Sequence, residues 1–67
     1  MEFIGTLTAL SKEGKRITIV KDVPVTAVSA ADAYRQFFEA HWDPELTTEA
    51  QCAAIVELTP MEESIHG

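Results

Sequence analysis

The chain opens with strict alternation. In EFIGTLTALSKEGKRITIV, Phe3, Gly5, Leu7 and Ala9 fall on one side of an extended backbone, and Ile4, Thr6, Thr8 and Leu10 fall on the other. A period of two marks a strand with one face turned to a core. The SKEGK stretch then puts Gly14 where a type I turn followed by a left-handed residue needs it, because glycine reaches positive φ without steric cost. Beyond the turn, Ile17 and Ile19 resume the alternation, and Thr18 is placed to pair with Thr6 or Thr8. The expectation is an antiparallel hairpin. Pro24 interrupts its second strand and, having no amide to donate, sets that strand at a sheet edge or bends it there, the edge being the first choice.

The period changes after Ser29. Ala30, Ala33, Tyr34, Phe37, Phe38 and His41 recur at the spacing of one helical stripe. Ser29 is the expected N-cap, with Asp32 reaching back to the Ser29 amide and complementing the positive end of the helix dipole. Pro44 disfavours the helical conformation at Asp43, so the helix should end near Trp42. PELTTEAQ reads as a loop; a short helix capped by Thr47 or Thr48 and running to Ala54 is the second choice. In CAAIVELTP, the neighbouring Ile55 and Val56 favour a strand with Cys52, Ala54, Val56 and Leu58 on one face and Pro60 at its end. The tail MEESIHG, residues 61–67, is expected to fray.

The order is therefore ββαβ, an α+β fold in a single small domain spanning residues 1–67. A right-handed crossover through the helix sets the third strand beside the first, giving a three-stranded antiparallel sheet of order 2-1-3 with one helix packed on one face. The opposite face is expected to carry Ile4, Thr6, Thr8, Leu10, Thr18 and Val20. That mixture of apolar and hydroxyl side chains suits an interface, and Ile4, Leu10 and Val20 are its expected self-association residues.

Size sharpens this point. A domain this small buries only about 60% of the surface its unfolded chain exposes, and such a core seldom supplies more than roughly 3–5 kcal/mol unless a disulfide, a metal or a second subunit adds to it. Cys52 has no second cysteine to pair with, and no His and Cys stand at metal-ligand spacing. An apolar fraction of 46% beside 24% charged residues is globular composition, so the chain should fold. No basic leader precedes an apolar run, and no stretch has the length of a membrane span, so the expected location is cytoplasmic.

Charge divides the chain where periodicity does not. Residues 1–35 hold all five basic residues against four acids, a net of +1, whereas residues 36–67 hold seven acids and no base, a net of −7, which together make the formal −6. Some of the five cations are expected to be held near Glu13 and Asp22. Most of the seven carboxylates must then face water, where they form a negative field that draws in a basic partner.

Candidate chemistry is sparse. Cys52, His41 and a carboxylate make a nucleophilic triad only if the imidazole lies within hydrogen-bond reach of the thiol, and no local signature sets that up. Cys52 reads instead as a buried structural thiol, and His41 as a favourable charge at a helix C-terminus. His66 falls in the expected tail and is given no role, and the adjacent Glu62 and Glu63 are expected to be solvated. Tyr34, Phe37 and Phe38 belong to the helix stripe, without the basic groove that single-strand binding requires. Lys12, Lys15, Arg16 and Lys21 are too few against the net charge to hold phosphates at physiological salt. Gly5, Gly14 and Gly67 are too far apart to form a phosphate loop. No enzyme activity, cofactor, metal, direct nucleic-acid contact or membrane association is expected.

In kind, a very short acidic α+β chain without catalytic residues resembles the inhibitors and accessory proteins of phages and mobile elements, anti-CRISPR proteins among them. Several of these occupy the nucleic-acid channels of their targets. The resemblance rests on size and charge and carries over no residue. The function expected is a non-enzymatic protein–protein interaction module, a nucleic-acid mimic whose acidic surface occupies a basic surface of another protein. Glu39, Asp43, Glu45 and Glu49 are expected to line the patch, with Trp42 as an apolar anchor at its centre. The alternative is a small homodimeric accessory protein whose acidity serves only solubility.

Overall fold

A computed structural model describes residues 1–61 and contains five elements: β1 (Glu2–Leu10), β2 (Arg16–Thr26), α1 (Ala30–His41), α2 (Pro44–Thr48) and β3 (Ala53–Pro60). The expectations for Glu62, Glu63, His66 and most of the tail lie outside the described residues. The sheet has the order β2-β1-β3, with β1 antiparallel to both neighbours. One main helix, α1, packs on one face, so the α+β fold and its strand order follow the alternation of the sequence.

Gly14 adopts a φ of +88°, and its amide donates to the Ser11 carbonyl at 3.0 Å while the Ser11 amide donates to the Lys15 carbonyl at 2.9 Å. These two bonds close the hairpin. Thr18 pairs with Thr8, one of its two expected partners. At the far end, Met1 and Ala27 exchange bonds at 2.8 and 2.9 Å, which sets the phase of the ladder so that odd residues of β1 turn their backbone groups to β2. Pro24 lies opposite Ile4. Its missing donor thus falls on the outer side of an edge strand, where it costs no ladder bond.

The middle of β2 departs from simple alternation. Between the pairs Gly5↔Val23 and Thr8↔Thr18 the register shifts twice, on either side of Leu7↔Val20. Asp22 takes a φ of +56° there, and its amide donates to the Thr6 hydroxyl at 3.3 Å. Because directly paired residues share a face, Val20 lies on the side of fully buried Leu7 and packs against the core. The expected place of Val20 on the open face is therefore corrected. Extrapolating a period of two past a bulge moves every later side chain to the wrong side.

The core gathers Phe3, Leu7 and Ala9 of β1, Val25 and Ala27 of the second strand and its end, Ala33 and Phe37 of α1, and Trp42 and Cys52. Gly5 makes the closest approach possible. A Cβ built on it would stand 2.9 Å from the Phe37 ring, so a hydrogen there lets the ring lie on the sheet. Ser29 caps α1 as expected, its hydroxyl accepting from the Asp32 amide at 3.1 Å, whereas the Asp32 carboxylate accepts from Val28, one residue before the expected donor, at 3.3 Å. Tyr34 sits at the edge of the stripe. It is 48% exposed and stacks on half-buried Phe38, which stacks on Trp42 in turn, with ring centroids 6.2 and 5.7 Å apart.

Candidate functional site

PELTTEAQ was expected as a loop, yet its first five residues form α2. Neither Thr47 nor Thr48 caps it; Asp43 does, through a carboxylate that accepts from the Glu45 amide at 3.0 Å, with Pro44 preorganised at the first helical position. The Asp-Pro-Glu order carries the signal, since it starts α2 as well as stopping α1. Leu46 packs inward, and its carbonyl accepts from the Cys52 amide at 2.7 Å, tying α2 to the start of β3. Gln51, at a φ of +56°, makes the turn between them.

Trp42 differs most from expectation. It is only 8% exposed, and its indole N–H donates to the Thr47 hydroxyl at 2.8 Å. An indole fixed at both its face and its nitrogen positions α2; it is not an exposed anchor. The reason lies in the C-cap: Trp42 leaves the helix with φ −83° and ψ 132°, so a position outside the helical stripe is turned back onto the core.

Glu39, Asp43, Glu45 and Glu49 all lie exposed along the α1–α2 corner. Glu45 and Glu49 stand four apart and so share one face of the short helix. Their counterions are few. The ion pairs among the described residues are both made by Arg35, to Asp32 at 2.8 Å and to Glu39 at 3.7 Å. Lys12, Lys15, Arg16 and Lys21 thus make no ion pair with Glu13 or Asp22, contrary to expectation. The turn that carries Lys12 and Lys15 projects from the end of the sheet where β3 begins, since Leu10 pairs with both Arg16 and Ala53.

The ionisation of Asp32 is tuned by its neighbours. The Val28 amide, the Gln36 amide group and Arg35 hold its carboxyl below the usual aspartate range, against a smaller opposing effect of burial. This is structural chemistry at a helix N-terminus, since all of these partners belong to the cap or first turns of α1.

Ile4 and Leu10 lie half-buried on the open face of the sheet, where Ile55, paired with Thr8, joins them. A groove of about 190 Å³ runs between α1 and β2, lined in part by Val23, Val25, Phe37, Ala40 and His41. His41 is half-buried with its ring 5.1 Å from that of Phe37, and Cys52 is buried with its thiol directed to the Ala50 carbonyl at 3.8 Å. No bond joins them. Among the described residues, no group of three potential ligands is gathered for a metal, and no helix is long and apolar enough to cross a membrane. Comparison with known proteins finds no matching family model, curated protein or solved structure.

Proposed function

We propose that this protein is a non-catalytic binding module that docks the acidic α1–α2 corner onto a basic surface of another protein, such as one that otherwise grips nucleic acid. The supporting observation is the shortage of counterions. Of the four carboxylates, only Glu39 has a cation within ion-pair distance among the described residues, at a loose 3.7 Å. Glu45 and Glu49 are displayed on a helix that is itself braced by Asp43, Leu46 and Trp42, so the charges are held in place on the surface. Held charges steer a basic partner at lower entropic cost than charges on a loose tail.

The test leaves the Asp43 cap in place. Glu45→Lys with Glu49→Lys reverses both outward charges without removing a structural bond. Immobilised wild-type protein is used to capture partners from a lysate, and the rate at which each captured partner associates is then compared between wild type and variant. The expected result is an on-rate about tenfold lower at low salt, with the difference shrinking as salt rises. An unchanged rate overturns the proposal.

A second reading is favoured by the open sheet face, where no element among the described residues covers Ile4, Leu10 and Ile55. On this reading, the chain self-associates through that face. Light scattering at high micromolar concentration should then give a dimer that Ile4→Ser with Leu10→Ser dissociates. A monomer excludes it.

A further inference from the structure

The two edges of the sheet are built differently, and the difference coincides with charge. β2 carries a double register shift, a left-handed Asp22, Pro24, and the cations Arg16 and Lys21. Each of these features obstructs pairing of another strand along it. β3 carries none of them before Pro60. Its phase follows from one bond: the Met61 amide donates to the Glu2 carbonyl at 2.8 Å, and this pair continues the β1–β3 register. Alternation along an antiparallel ladder then makes Thr59, Glu57, Ile55 and Ala53 the residues bonded to β1. The amides and carbonyls of Ala54, Val56 and Leu58 point outward. Among the described residues, nothing outside the ladder bonds to them.

We infer that the outer edge of β3 accepts an extended, basic segment of the partner protein as a fourth strand. This inference rests on the acidic-corner reading and specifies its mode of contact. Main-chain bonds to Ala54, Val56 and Leu58 supply the pairing, as in other cases of strand addition. Charge selects the occupant. Glu57 stands on β3 itself, and Glu45 and the C-cap Glu49 belong to the short helix that leads into it, whereas Arg16 and Lys21 stand on the strand at the opposite edge. A second copy of this chain would bring its own Glu57 and a further net charge of −6 to the same edge. A strand with lysine or arginine at alternate positions meets complementary charge instead.

The probe is a capped peptide of about ten residues alternating lysine with valine, long enough to span β3, and the readout is amide hydrogen exchange of the full chain by NMR. At saturating peptide the amides of Ala54, Val56 and Leu58 should slow by at least about tenfold, while those of Ile55 and Glu57, already bonded to β1, stay as they were. The matching glutamate–valine peptide should protect none of them. A chemically synthesised chain with an N-methyl group on Val56 loses the central outward donor and keeps the side chain; its affinity for the basic peptide should fall about tenfold with the fold unchanged. Should that chain fail to fold, the exchange pattern of the unmodified chain still decides.

Binding of the basic peptide without slowing at the three amides overturns the edge inference and leaves the acidic corner standing. Absence of binding at low salt also overturns it. Protection of the same amides that grows with protein concentration alone assigns the edge to a second copy, and overturns it too. The Glu45→Lys and Glu49→Lys on-rate reads the acidic corner without involving β3, so the two failures remain distinct.

Discussion

Gly5 lies under the Phe37 ring, and the space between them is smaller than a methyl group needs. Gly5→Ala should therefore lower stability by about 1–3 kcal/mol, the usual cost of overpacking, and a chain that also carries Phe37→Leu should lose less than the sum of the two changes. Denaturant midpoints of the two single variants and the double variant check this. Gly14 is the opposite case: nothing lies within 4 Å of a Cβ built there, and only its φ of +88° resists a side chain. Gly14→Val should cost about 1–2 kcal/mol through backbone conformation alone, whereas Gly14→Asn should cost less, since asparagine tolerates that region. Asp32 links residue chemistry to pH. Its carboxyl is held below the usual range in the folded chain, so its stabilising contribution is present above the unfolded value and is lost as pH falls through the folded one. Asp32→Asn should flatten the acid limb of stability when urea midpoints are followed over roughly pH 2–5.

The elements legible in the sequence were those whose signal is local. Alternation marked β1, the glycine marked the hairpin, and Ser29 with the 3.6-residue stripe marked α1. What escaped was one contact distant in sequence and two local signals, the Asp43 cap of α2 and the Trp42 bond to Thr47 five residues on. One bulge of β2 lies where Asp22 meets the Thr6 hydroxyl, sixteen residues away, and without the other, between Thr18 and Val20, Val20 reads as an open-face residue. Trp42 looked exposed because it falls off the helical stripe, but the helix has already ended and Thr47 provides a bond for its indole. Of the expected site residues, the four acids lie on the surface as charge composition suggests, whereas the brace beneath them was not legible. That brace can be tested as an element. Trp42→Phe keeps the stack on Phe38 and removes the bond to Thr47, so exchange of the Glu49 and Cys52 amides should quicken several-fold while β1 amides stay protected. Thr47→Val should do the same, and combining the two should add little, because both remove one bond.

At the scale of the whole molecule, charge and hydrogen-bonding capacity are both distributed unevenly. The acidic corner leads into the strand with free outward amides, and the basic hairpin leads into the strand whose outer side is obstructed. Salt should therefore weaken partner association while leaving thermal stability nearly unchanged, since few of the charges among the described residues are paired; melting curves and association rates taken across the same salt series separate the two. The unequal edges also limit assembly. A sheet with two equivalent open edges can add copies without end, which is the geometry of a filament. Here β2 is bent and interrupted by proline, and β3 sets Glu57 and a net charge of −6 against any second copy, so neither edge propagates a stack. Concentrated protein should accordingly reach a finite species and remain clear, with no fibrous phase.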